Sequence, residues 1–238
     1  CIITDTMSAS PPPRPMNYIA ERRQEEKERR RADLIDAAEA VAAEVGIEAM
    51  TMDEVARKAR LSRALLYVYF QNKPDLLLAL CERALTSLHA RFEAAAAQEP
   101  ASGRAQIGAM GRAFVAFSRE QPVYYDALAK FAMRSPSGLA SDSNEHACLL
   151  CGDRVHQTMV ASIERGMQDG SIRPDVGPPA LVGLTLWGFM AGVIQLAATK
   201  SAVIEHRGFD ADRLIDQALR LASDGLGPRQ DLPHDHDA

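Results

Sequence analysis

The sequence predicts an all-α fold. Aromatic residues make up only 5% of the chain while alanine is abundant, a balance that favours helices over sheets. Almost no window shows sustained period-two alternation of β-branched residues, the mark of a half-buried strand. Apolar residues instead recur at three- and four-residue spacings between helix start and stop signals. With 238 residues and 47% hydrophobic content, the chain can build one large domain or two small ones around a real core. No run is apolar enough for long enough to point to a bilayer span; the best candidate, residues 180–198, reads as a buried interface helix.

The densest signals lie in TMDEVARKARLSRALLYVYFQNKPDLLLAL, residues 51–80. Thr51, with Glu54 three residues later, forms a capping box and should start a helix over 52–59. Ser62 caps a second helix carrying 63–67 after a turn of two or three residues. Pro74 fits the first position of a third helix, with Asp75 in the turn where the helix dipole favours an anion. Two short helices joined so tightly make a helix-turn-helix, whose second helix suits a DNA major groove. Val55, Ala56 and Ala59 give the first helix one inward stripe, and Leu65, Leu66 and Phe70 do so for the second. Ser62, Arg63, Ala64 and Tyr67 are then left for the turn and the outer face. Small Ala64 permits close approach to base edges, and the Arg63 fork matches guanine O6 and N7. Tyr67, Tyr69 and Lys73 carry groups suited to phosphate oxygens.

The stretch T-M-D-E-V-A-R-K-A-R-L-S-R-A-L-L-Y-V-Y-F-Q-N-K-P-D-L-L resembles the DNA-binding segment of the TetR family of one-component transcriptional regulators. Thr51, Val55-Ala56, Ala59, Leu61-Ser62, Leu66-Tyr67, Tyr69-Phe70, Lys73 and the acidic-Leu-Leu run carry the match. Two positions depart from it. Arg60 stands where the turn usually has Gly, and a side chain at positive φ is strained. Leu65 stands where Thr is common, which removes a hydroxyl from phosphate reach.

Upstream, residues 1–18 are rich in Ser and Pro and read as a disordered extension. IAERRQEEKERRRADLIDAAEAVAAEVG then runs from a charged front half into the stripe Leu34, Ile35, Ala38, Val41, Ala42, Val45, and Gly46 ends it. Its arginines fit either an arm along the phosphates, with Arg29, Arg30 and Arg31 as contacts, or a solvated face paired with interleaved glutamates. The formal charge of −5 lies outside the head: residues 14–80 carry 12 basic and 12 acidic side chains, the rest 15 and 20. Affinity for DNA should therefore rest on a few placed cations and on dimerisation.

The head, residues 19–80, is expected to connect through a long helix over 76–98 to a body at 81–226, with 227–238 as a flexible tail. Breakers at 99–103, 120–122, 135–144 and 170–179 divide the body into helices, the long ones over 145–169 and 180–199 and the last over 210–223. Met110, Phe114, Phe117, Tyr124, Tyr125, Phe131, Met159 and Trp187 are its large soft residues, the chemistry of an apolar pocket and equally of a core. GMQDGSIRPDVGPPALVGLTLWGFMAG again resembles the TetR family, more loosely. The resemblance implies an inducer pocket here, and a four-helix interface in which the last two helices pair with those of a second subunit. Leu184, Gly188, Ala191, Gly192, Leu214, Ala218 and Leu221 are the expected dimer contacts, with Gly183 also allowing close helix approach. A two-fold dimer would present two recognition helices to a palindromic operator.

Cys1, Cys81, Cys148 and Cys151 do not look like a disulfide framework. His146, Cys148, Cys151 and His156 form H-x-C-x2-C-x4-H, a spacing open to metal binding or a thiol switch, though buried inert cysteines are the default. No phosphate-cradling loop, nucleophile elbow or His-Glu-x-x-His pattern supports an enzyme. The N-terminal residues lack the pattern of a secretory signal, so the expected compartment is the cytoplasm. Taken together, the expectation is an N-terminal three-helix helix-turn-helix DNA-binding domain followed by a larger helical ligand-binding and dimerisation domain. It would act as a dimeric repressor released from its operator by a small hydrophobic or aromatic effector, with no cofactor. The alternatives are an effector-independent DNA-binding module, or a metal- or redox-sensing regulator using Cys148 and Cys151.

Overall fold

The computed structural model describes residues 16–133 and 143–228; the extension up to residue 15, the loop over 134–142 and the tail from 229 lie outside the described residues. Every described element is helical. The order is α1 (Met16–Ala49), α2 (Met52–Lys58), α3 (Arg63–Tyr69), α4 (Lys73–Gln98), α5 (Gly103–Glu120), α6 (Pro122–Ala132), α7 (Asn144–Gln168), a 3-10 turn (Pro174–Val176), α8 (Pro179–Thr199), α9 (Ser201–His206) and α10 (Ala211–Leu226).

The helix starts follow local chemistry. Thr51, Ser62, Asn72, Ser102, Ser143 and Asp210 each accept a backbone N–H at the beginning of a helix, satisfying donors that the helix itself leaves free. Asn72 takes the cap before α4, so Pro74 sits one position later than expected. Residues 16–18, expected in the extension, belong to α1. Gly46 breaks α1 at φ 82° and ψ 154°, after which one further turn runs to Ala49. The six-residue α9 was not legible, because it has no side-chain cap and no buried residue.

Two cores result. Leu34, Ile35, Val41, Val55, Leu66 and Phe70 from the first three helices close on Leu76 and Leu80 of α4. The second core begins one residue later, with Cys81, Leu85, Leu88 and Phe92 of α4 packed on α5, α6, α7, α8 and α10. One stiff helix therefore belongs to both. α6 does too: Ala127 is buried in the head core with Val123 and Tyr124 against it, while Tyr125 and Leu128 are buried in the body.

α8 is 21 residues long and, beyond what the sequence reading allowed, apolar enough to cross a membrane by length and composition, yet only 28% of its most apolar window is buried within the subunit. Leu181, Leu184, Phe189 and Leu196 all stand exposed on it.

Candidate nucleic-acid interface and ligand chamber

The helix-turn-helix is built by its caps. The Thr51 hydroxyl accepts the Glu54 N–H at 3.3 Å, and the Glu54 carboxylate accepts the Thr51 N–H at 2.9 Å. The same carboxylate takes the Thr51 hydroxyl at 2.8 Å, and these bonds hold the Glu54 carboxyl below its ordinary value. Thr51, expected among the DNA contacts as well as at the cap, thus has its hydroxyl turned inward to the cap. At the other end of α2, Leu61 N–H donates to Ala56 O at 3.0 Å and Arg60 N–H to Arg57 O at 3.1 Å. This is a Schellman closure with Arg60 at the left-handed position, φ 56°, the one non-glycine at positive φ among the described residues.

α3 then starts at Ser62, whose hydroxyl accepts the Leu65 N–H at 3.2 Å. Leu66 is its anchor, fully buried, with Phe70 just beyond. Ser62, Arg63, Ala64 and Tyr67 face solvent along one side. Val68, which sequence reasoning passed over, stands beside them at 75% exposure. Its signal was its place one turn after Ala64, and an apolar group on such a face suits a thymine methyl. Arg63 is not free: Nη1 donates to Asp53 Oδ2 at 3.1 Å, Nε lies 3.0 Å from Asp53 Oδ1, and its guanidinium stands 5.6 Å from the Tyr67 ring centroid.

The other cations divide. Lys73 Nζ donates to Glu48 O at 2.7 Å, tying the start of α4 to the end of α1. Tyr69 is half-buried and packs on the head core. Arg29 and Arg30 both pair with Glu26 on the solvated face of α1. Arg31 departs from the arm reading. Its Nη2 donates to Asn144 at 2.8 Å, lies 3.3 Å from Glu82, and the group sits 5.7 Å from the Phe70 ring centroid. Its position at the head–body seam turns it away from a phosphate role, because α1 points that face at α4 and α7.

In the body, Trp187 separates three cavities. One of about 50 Å³ takes in Met110, Phe114 and Met159; one of about 380 Å³ lies against Phe131, Met159 and His156; one of about 550 Å³ opens between Gly46 and Tyr125. Phe114 stacks on Trp187 at 4.8 Å between centroids and leans on Tyr125 at 5.8 Å. Two of the eight expected pocket residues line none of these cavities. Phe117 is fully buried in the core. Tyr124 turns to the head, donating its hydroxyl to Glu39 Oε2 at 2.7 Å, and burial pushes its phenol up to about 12. Tyr125 donates to Ala191 O at 3.1 Å, and burial raises it to about 12 as well.

The expected dimer residues also divide. Leu184 is 58% exposed and Leu221 56%. A Cβ at Gly188 or Gly192 would meet nothing within 4 Å, whereas one at Gly183 would meet His156 at 2.9 Å. So Gly183 serves packing within the chain, and Gly188 and Gly192 open outward. Ala191 and Leu214 are half-buried. Ala218 is buried inside the subunit, because α10 turns that face toward α5 and α8.

The cysteine spacing does not make a metal site: no three His, Cys, Asp or Glu side chains converge among the described residues. The helical spacing sends the groups apart. Cys148 Sγ meets Cys81 Sγ of α4 at 3.0 Å, while Cys151 Sγ accepts from Arg154 Nη2 at 3.1 Å. His156 packs at Gly183. The thiol partner of Cys148 is thus Cys81 rather than Cys151. Its hydrogen bond with Cys148 and its burial push the Cys81 thiol far up, toward the inert form.

A helix-turn-helix head, a stiff connecting helix and a cavity-bearing helical body are the parts that known proteins can be set against. Residues 34–80 match the family described as bacterial regulatory proteins, tetR family. No curated protein matches the chain in sequence. Among solved structures, the fatty acid degradation regulator FadR from Bacillus halodurans is 16% identical with a TM-score of 0.61, covering 84% of this chain and 97% of that one. FadR from Bacillus subtilis, solved in complex with stearoyl-CoA, is 18% identical at 0.61, covering 82% and 98%. The TetR family regulator PfmR from Thermus thermophilus is 23% identical at 0.56, covering 83% and 99%. These likenesses establish the fold.

Proposed function

We propose that the chain is a homodimeric repressor that binds a palindromic operator in the cytoplasm and releases it when a small hydrophobic or aromatic effector enters the body. α3 is the reading helix, with Arg63, Ala64 and Val68 at base edges and Tyr67 at the phosphates. Ser62, Tyr69 and Lys73, with Arg29 and Arg30 beyond, are placed for the backbone. Lys73 reaches phosphate by leaving the Glu48 carbonyl.

The observation that carries the reading is the double membership of α6. One of its faces, Val123, Tyr124 and Ala127, packs in the head core; the other, Tyr125, Leu128 and Phe131, borders the cavities around Trp187. Lys130 also pairs with Glu48 at the end of α1. A ligand that pushes on the second face must move the first. Interiors are close-packed, so the displacement is transmitted rather than absorbed. The ligand need only prefer the displaced head spacing, a coupling of about 1–3 kcal/mol.

The test is to select bound duplexes from a random pool, then screen apolar and aromatic compounds for release of the selected DNA and for thermal stabilisation of the protein. Palindromic selected sites and compounds active in both assays support the reading. Selected DNA with no compound active in either assay favours an effector-independent module.

A further inference from the structure

The smallest of the three cavities around Trp187 carries a charge that the coupling through α6 does not use. It measures about 50 Å³ and lies inside the subunit between α5, α8 and α10, with Met110, Phe114, Met159, Trp187 and Met190 in its lining. None of the residues expected at the contact between two copies borders it: α8 and α10 turn Leu186 and Ala222 to this space and leave Leu184 and Leu221 exposed. Among the described residues its one charged lining group is Arg104, in the first turn of α5, and its one hydroxyl is Ser223. Both stand at the same end. A Cβ on Gly227 would collide with Arg104 Nη1, and the Gly227 N–H donates to Ser223 O at 3.1 Å.

The Arg104 guanidinium is half-buried, and among the described residues it has no hydrogen bond and no ion pair. The carbonyls nearest in sequence to Gly227 are already taken, Gly225 O and Leu226 O by Arg173, Ser223 O and Asp224 O by the Gly227 N–H. The Asp169 carboxylate accepts the Gly103 and Ser171 N–H groups at the start of α5, and Asp224 is exposed. A guanidinium carries five donors, and leaving them unfilled beside an apolar space is costly until an acceptor enters.

Building on the sensor reading above, we propose that the effector is a straight-chain carboxylate, whose head group takes Arg104 and the Ser223 hydroxyl while its chain runs past Met110 and Met190 toward Trp187. Met159 and Trp187 also border the cavity of about 380 Å³, so a longer chain continues there. An apolar cavity that holds benzene measures about 150 Å³, so the stretch beside Arg104 admits a methylene chain and not a ring. Methionine side chains adjust readily to such a chain. One guanidinium matches one carboxylate, whereas a chain esterified to a polyphosphate carrier would bring several anionic charges to a single cation.

The full chain is titrated by calorimetry with dodecanoate, dodecanol and dodecanoyl-coenzyme A below their micellar concentrations, and with 2-naphthoate as a ring-bearing acid. Dodecanoate binds, and the other three bind more weakly by roughly tenfold or more. Arg104→Gln lowers the affinity for dodecanoate to that for dodecanol and leaves the alcohol unchanged, which a misfolded body would not do; Arg104→Lys restores part of the difference. Gly108 borders the same space, and a Cβ there would meet only the end of Arg112, at 3.5 Å. Gly108→Leu therefore fills the cavity within an intact helix and removes dodecanoate and dodecanol together. Equal binding of acid and alcohol overturns the proposal, as does an Arg104→Gln chain that still prefers the acid. Tighter binding of the coenzyme A ester or of the naphthoate overturns it also. In each of those cases, a bound compound that releases the selected DNA leaves the sensor reading intact. If none of the four binds while another apolar or aromatic compound does, the carboxylate site fails alone; if no compound binds, both fail.

Discussion

Arg60 is the residue of the head whose backbone runs against its side chain. The turn between α2 and α3 needs a left-handed position, and the chain puts an arginine there at φ 56°. The left-handed region costs a side chain roughly 1–2 kcal/mol, while glycine loses about 0.5–1 kcal/mol more backbone entropy on folding. Relief exceeds entropy, so Arg60→Gly should stabilise the head by up to about 1 kcal/mol. Urea denaturation followed by circular dichroism reads this; a lower midpoint would show that Arg60 makes a compensating contact. Arg63 poses the opposite problem, a well-placed side chain already occupied. Its fork is held by Asp53, so DNA must displace a carboxylate before a guanine is read. Arg63→Ala should relax sequence preference at about 1–3 kcal/mol if its base contact is bidentate. Asp53→Asn should tighten binding to all duplexes by releasing the fork and removing a negative charge from the face. Fluorescence anisotropy over a salt series separates the two, because a change confined to one base position belongs to Arg63 alone.

At the scale of elements, α6 holds the coupling, and Tyr124 is its readable group. Its hydroxyl donates to Glu39 across the head–body seam, and burial raises the phenol to about 12. A raised phenol pKa means the neutral form is favoured by folding. That contribution is fully present below the unfolded value near 10 and is lost as pH climbs toward 12. Stability should therefore fall over that interval, and less so in Tyr124→Phe. Tyr125, raised for the same reason, remains in the variant and sets the residual slope. An identical slope in both proteins would remove Tyr124 from the seam. How much of this was legible varied by element. The caps of α2 and α3 were, because Thr51 and Ser62 act within three residues of themselves. The sharing of α6 was not: Val123, Tyr124 and Ala127 differ from Tyr125 and Leu128 only by which neighbour each face meets, and nothing in the spacing names the neighbour. Arg31 failed similarly. Its local context is a basic run, and its partners Glu82 and Asn144 lie 51 and 113 residues away.

For the whole molecule, the open question is what covers α8. Leu181, Leu184, Phe189 and Leu196 form an exposed apolar stripe with Gly188 and Gly192 set among them, beside exposed Leu221 of α10. Glycine within a helix interior costs about 1 kcal/mol relative to alanine, so two on an exposed face are a loss for the isolated subunit. Close approach of another helix offsets that loss, and here the space over both is open. Substitutions at these glycines can therefore tell subunit from assembly with opposite signs. Gly188→Gln and Gly192→Gln should each raise the unfolding midpoint of a dissociated subunit, since better helix formers replace glycine and no neighbour is struck. The pair together should hold two α8 helices apart and drive the protein toward single subunits in sedimentation velocity. Operator binding should then weaken steeply, because one recognition helix binds alone, while the non-specific contacts of each head persist. If the doubly substituted chain sediments as the unsubstituted one does, the stripe on α8 is not where two copies meet, and the palindrome expected of the operator loses its structural reason.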